Sequence, residues 1–332
     1  MAGQEKRIDT HVHAVPPSYR QALTEAALGP RIRIPDWSPE MAIAMMDRHQ
    51  ISASVLSLSV PGAHLGDDNK ARALARRCNE EFAEIAERNP GRLGAFATLT
   101  LPDVEGACRE AEYALDVLRL DGIGLLASYG ELYLGDPRFD PLLETLNERS
   151  AVVHIHPNNH PSTQSVKLNV PNFLMEYLFD TTRAAVNLVF SSALDRFPNI
   201  KFILSHAGGT VPYIAWRLSE IATRQLQVAP FNEHYSVPLV KANEGHLSFE
   251  DVTSRLRRFY YDTALAAGPQ TFGALREVAD PDRILFGSDW PYCSEPMVDD
   301  MKRALDETAG CSRADMTAIE HGNAARLFPR LS

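Results

Sequence analysis

The stretch IDTHVH places His11 and His13 two residues apart. On an extended strand, residues i and i+2 point to the same side, so both imidazoles face one way and one metal ion could take both. The spacing recurs at His154 and His156 in VVHIHP, while His206 follows the run KFILS and Asp289 follows ILFGS. Burying several imidazoles and a carboxylate unpaired in an apolar interior would cost on the order of several kcal/mol apiece, and a cation gives them a reason to converge. Nitrogen donors with one carboxylate suit zinc or another divalent transition metal better than magnesium or calcium.

The elements that must position these groups follow from hydrophobic patterning. Short apolar or β-branched runs at 7–13, 51–59, 93–99, 122–128, 151–156, 201–206, 259–263 and 284–288 alternate with segments of helical period. Ser38 and Pro39 mark one helix start, Asp136 and Pro137 another, and a final helix is expected over 312–329. Eight strands with intervening helices, and no GxGxxG after the first strand, predict a (β/α)8 barrel rather than a dinucleotide-binding sheet. The barrel carries an insertion after its first strand and an extra C-terminal helix, and residues 1–332 read as one domain. In such a barrel functional groups belong at the C-terminal strand ends, where the histidines and Asp289 fall.

Composition excludes several partners. The 43 acidic against 33 basic residues give a net charge of -10, which repels a phosphate backbone, and no basic stripe offsets it. No run of about 18 apolar residues and no leader is present, so neither a membrane span nor a secretory signal is expected. The chain reads as soluble and cytoplasmic, with Cys78, Cys108, Cys293 and Cys311 as free thiols and Cys293 as a small buried side chain.

IDTHVH, VVHIHP, ILSHAGG and LFGSDWP, in this order on strands one, five, six and eight, resemble the amidohydrolase superfamily, in its branch of metal-dependent decarboxylases. The similarity runs from Ile8 to GNAARLF at 322–328. It implies one divalent metal ion, zinc first and manganese second, held by His11, His13, His156 and Asp289, with His206 beside it unligated and His154 lining the barrel. The fourth strand, 122–128, contains no lysine that could bridge a second metal, so a single ion is expected.

The same resemblance, with WSPE, LARRCNE, YGELYLG, HPNNHP and FYYDTA, points to the methylsalicylate branch. It implies non-oxidative loss of CO2 from a small ortho-hydroxybenzoic acid to give a phenol, with Asp289 as proton donor and His206 as its helper. Hydrolysis of a lactone or amide is the alternative, because the same ligands serve both chemistries. Substrate contacts are expected from Trp37, Tyr129 and either Arg31 or Arg33 in the insertion RIRIPDW. Arg217, eleven residues after His206, corresponds to an arginine that reaches into the neighbouring subunit's site, which implies a further substrate contact and a homodimer.

Overall fold

A computed structural model describes residues 7–26, 34–165, 167–224, 247–307 and 311–332. Eight strands form its centre: β1 (Arg7–His13), β2 (Ile51–Ser57), β3 (Leu93–Thr98), β4 (Gly122–Leu126), β5 (Val152–His156), β6 (Lys201–Leu204), β7 (Tyr260–Asp262) and β8 (Ile284–Leu285). They follow one another around the sheet in chain order, each pair parallel. The segment after β8 closes the ring on β1: Thr10 N–H donates to Phe286 O at 3.0 Å, Asp289 N–H to His11 O at 2.8 Å and His13 N–H to Trp290 O at 2.8 Å. This is a (β/α)8 barrel.

The helices between strands begin where side chains can take the orphan amides. Ser38 Oγ accepts from Met41 N–H at the start of Pro39–His49, and Asp67 and Asp103 do the same for Asp68–Arg88 and Val104–Glu112. Asp136 departs from expectation: it caps the single 3-10 turn Pro137–Phe139, and the helix proper is Asp140–Glu148. The insertion after β1 contains the helix Pro17–Glu25; Arg31 and Arg33 lie outside the described residues. The last segment runs helically from Arg313 to Leu327 with a π turn at Ala318–Gly322.

The larger apolar core lies between strands and helices. A smaller cluster fills the barrel itself, taking Ile8, Ala53, Phe96, Val152, Ile203 and Leu285 from the strands. Phe328 and Leu331 of the C-terminal segment join it and so plug one end. Alternation then places His154 and His156 on the same inner face as Val152, toward the other end. No helix among the described residues is long and apolar enough to cross a membrane.

Strands six and eight are shorter than their apolar runs suggest. β6 ends at Leu204 and β8 at Leu285, while His206 and Asp289 adopt left-handed backbone with φ of 54° and 58°. Positive φ breaks the ladder and swings both side chains off the strand direction. The two groups therefore reach the site from turns above the barrel rim.

Candidate metal centre

The candidate ligand atoms of His11, His13, His156 and Asp289 all lie within 4.8 Å of one another, and all four residues are buried. Asp289 Oδ1 is 3.1 Å from His13 Nε2 and 3.5 Å from His11 Nε2. The two Nε2 atoms of β1 are themselves only 3.1 Å apart.

The hydrogen bonds on the far side of each ring decide what those nitrogens carry. His156 Nδ1–H donates to Pro157 O at 2.8 Å and His11 Nδ1–H to Asp262 Oδ2 at 2.8 Å. Ser57 Oγ–H is directed to Val12 O at 3.2 Å, so Ser57 Oγ accepts from His13 Nδ1–H at 3.1 Å. With each Nδ1 committed as donor, each neutral ring leaves Nε2 a bare lone pair. Lone pairs 3.1 Å apart in a buried site repel one another. The donor set thus fits a cation, and three nitrogens with one carboxylate is a common set for a transition metal.

Asp262, at the end of β7, escaped the sequence reading although FYYDTA was noted. Its Oδ2 accepts from His11 Nδ1–H and, at 3.2 Å, from His154 Nε2–H. Its Oδ1 accepts the backbone N–H groups of His206 at 2.9 Å and Ala264 at 3.0 Å. Burial alone would raise this carboxyl, but the charge and hydrogen bonds of His11 and His154 outweigh it and hold Asp262 well below the usual range. The signal that could have found it is the one that found the histidines: a polar residue closing an apolar strand.

Asp9 is a second omission. Its Oδ1 accepts N–H from His11 at 3.1 Å and from Ser288 at 3.0 Å, tying β1 to the turn that carries Asp289. Its Oδ2 is buried without a partner among the described residues, and burial pushes the carboxyl up to about 7. Opposite sits Gly287, where an added Cβ would stand 2.9 Å from His11 Cβ and 3.2 Å from Asp262 Cβ. Gly287→Ala is expected to displace His11 and weaken metal affinity by about tenfold or more, read by metal titration; unchanged affinity would show that the barrel absorbs the methyl.

The remaining expected residues are placed less uniformly. His206 Nδ1–H donates to Ala264 O at 2.9 Å, and its ring centroid lies 5.1 Å from that of His11 and 6.1 Å from that of His156. His154 stacks on Phe96 at 5.4 Å. Tyr129 lines a cleft with His154, His156, Leu58, Ala63 and Leu99, and its hydroxyl accepts from Leu126 N–H at 2.8 Å. His64, unremarked in the sequence, lines the same cleft and meets Asp68 at 2.9 Å. Trp37 packs on the larger core with its indole Nε1 buried and, among the described residues, unpartnered. Arg217 is exposed on the helix Val211–Arg224, beside Tyr213 and Trp216, themselves 87% and 68% exposed. Cys293 is buried, as expected, and its thiol lies 3.7 Å from Asp289 Oδ2.

Burial also sets how the metal-free protein responds to acid. It lowers His11 to about 4, and lowers His154 and, further, His156 from the ordinary value. An imidazole depressed by folding contributes stability above its unfolded value of about 6.5, and that stability is lost as pH falls toward the folded value. Asp9 works in the opposite sense, weakening the fold as pH rises from about 4 to 7. The three imidazoles outweigh Asp9 and the lesser upward shifts that burial gives Asp180 and Glu320, so the melting temperature of metal-free protein should fall between about pH 6.5 and 4. A flat profile by calorimetry across that window would refute this.

An amidohydrolase family model matches residues 8–330. The chain is 36% identical to 6-methylsalicylic acid decarboxylase of Penicillium expansum over 330 residues, covering 98% of this chain and 97% of that protein. It is 28% identical to a gamma-resorcylate decarboxylase of Polaromonas sp. over 301 residues, 86% of each. A solved dihydroxybenzoic acid decarboxylase from Polaromonas sp., with bound manganese and the inhibitor 2-nitroresorcinol, superimposes with a TM-score of 0.78 at 25% identity, covering 98% of this chain and 97% of that one. Sequence likeness over almost the whole length coincides with a barrel whose rim gathers imidazoles and a carboxylate around bare nitrogen lone pairs, and the chain therefore belongs to the amidohydrolase family.

Proposed function

We propose that this chain is a metal-dependent carboxy-lyase that removes CO2, without oxidation, from a small ortho-hydroxybenzoic acid of the 6-methylsalicylate type and leaves a phenol. The observation that carries the reading is the convergence of His11, His13, His156 and Asp289 next to a cleft faced by Tyr129 and aliphatic side chains. Its relatives' named substrates are aromatic acids of that size.

His11, His13, His156 and Asp289 would hold the ion, which when bound would supply Lewis acidity toward the oxygens of the acid. Direct loss of CO2 would leave an aryl carbanion; protonating the ring carbon that bears the carboxylate avoids it. Asp289 is the group assigned to deliver that proton. Burial would raise its carboxyl, but the neighbouring imidazoles of His13 and His11 outweigh that effect and hold it at about 2, so it is ionised at rest and must first take a proton. The ortho hydroxyl of the substrate provides one as it sheds it. His206, fixed through Nδ1 to Ala264 O, keeps Nε2 available to orient the acid and steady the transferred proton. Cleavage of the carbon–carbon bond then restores the aromatic ring.

Zinc is the proposed ion, because three of the four donors are imidazoles; manganese, present in the Polaromonas structure, is the competitor that metal analysis of purified protein distinguishes. A homodimer is proposed from the exposed Tyr213, Trp216, Phe173 and Leu174, a quantity of apolar surface that a second copy would cover, with Arg217 at its edge. One catalytic domain and a cytoplasmic location agree with this reading and with four free thiols.

The test is incubation of metal-loaded protein with a panel of hydroxybenzoates in deuterated water. CO2 release with deuterium at the former carboxyl-bearing carbon is expected. Silence across that panel together with cleavage of lactones or amides would replace the decarboxylase by a hydrolase.

A further inference from the structure

The barrel's opposite end carries a second cavity, of about 360 Å³. Lys201 opens β6, Tyr260 opens β7, and Arg283 immediately precedes Ile284, the first residue of β8. All three line this cavity together with Arg258, Ser150 and Asn199. It therefore lies under the starts of the strands whose far ends lead to His206, Asp262 and Asp289.

Its charge is unusual for a chain of net charge -10. Among the described residues three cationic side chains line it and no carboxylate does. Arg258 Nη1 meets Asp195 Oδ1 at 2.7 Å, but Arg255 takes the other oxygen of the same carboxylate, so two guanidinium groups share one negative charge. Among the described residues Lys201 Nζ reaches only Ser150 O, at 3.3 Å. The Arg283 guanidinium stacks over Tyr260 at 4.5 Å from the ring centroid. Asp280 and Asp282 neighbour Arg283 in sequence and are exposed, yet neither lines the cavity, and among the described residues neither pairs with Arg283. Half-buried cations that converge with one shared carboxylate among them repel one another, and these few contacts replace only part of the hydration they give up. A small anion with several oxygens would offset both costs, since guanidinium forks and an ammonium suit an oxyanion's geometry.

We propose that this cavity binds a phosphate-type dianion, which cross-links the starts of β6, β7 and β8 and stabilises the barrel from its floor. Binding to the native state alone raises apparent stability by mass action. The site is remote from the metal centre, so the bound anion acts on stability and not on the chemical step.

Inorganic phosphate is the probe, titrated into metal-loaded protein with sodium chloride adjusted to constant ionic strength. A saturable rise in melting temperature is expected. Lys201→Met with Arg283→Met should weaken the apparent phosphate affinity by about tenfold or more while leaving turnover without phosphate unchanged, and Lys201→Arg should retain saturation. Phosphate can also reach the metal centre, and the variants separate the two locations. A shift no larger than chloride produces, or one that persists undiminished in the double variant, overturns the proposal. Should the double variant fold poorly, the single variant Lys201→Gln and 31P line broadening provide the same comparison.

Discussion

Asp289→Asn is expected to lower kcat by about 10³-fold, within the range a positioned acid contributes, while metal still binds at saturating concentration. The amide keeps an oxygen for the ion but cannot carry the proton, and it sits in the same left-handed turn, φ 58°, which asparagine tolerates well. Cys293, 3.7 Å from Oδ2, and the Asp289 N–H bond to His11 O at 2.8 Å should hold the new side chain in place. Two measurements are needed together: metal content by elemental analysis and single-turnover release of CO2. Full turnover by a metal-replete Asn variant would remove Asp289 from the role of acid and pass it to His206.

The second large effect belongs to Asp262, where an isosteric change is not a conservative one. Both of its oxygens accept: one from His11 and His154, the other from the His206 and Ala264 amides. Asparagine offers one oxygen and one NH2, so in either orientation its NH2 faces buried donors. Asp262→Asn should therefore destabilise the protein by about 3 kcal/mol, the scale of breaking a buried charged network. Metal affinity should drop by about 10- to 100-fold, as when a ligating imidazole loses the carboxylate behind it. Saturating metal should restore much of kcat, because Asp262 acts through His11 and not on the substrate. Chemical denaturation and competitive metal titration report the two effects separately. Wild-type metal affinity in a folded variant would mean that the His11 ring is fixed by packing against its neighbours instead.

Much of this site is legible in the linear order. Alternating patterning predicts the barrel, and HxH spacing in IDTHVH and VVHIHP predicts which imidazoles share a face, because strand periodicity is a local property. The motif order carries the ligand assignment to His156 and Asp289. Local rules misplace His206 and Asp289, which read as strand ends: whether a strand continues is settled by the neighbouring ladder, and here closure of β8 on β1 ends it early.

By itself, then, the sequence determined an eightfold barrel with imidazoles and a carboxylate at its rim. Only the tertiary structure decided the rest. The bare Nε2 atoms exist because Asp262, Ser57 and the Pro157 carbonyl claim each Nδ1, and Asp262 comes from a strand about 250 residues from His11. Asp9 is tied to Ser288 across a separation of 279 residues, and the cationic floor assembles from the starts of three strands. Proton positions and local charge depend on which groups meet in space, and closing the barrel is the step that brings them together.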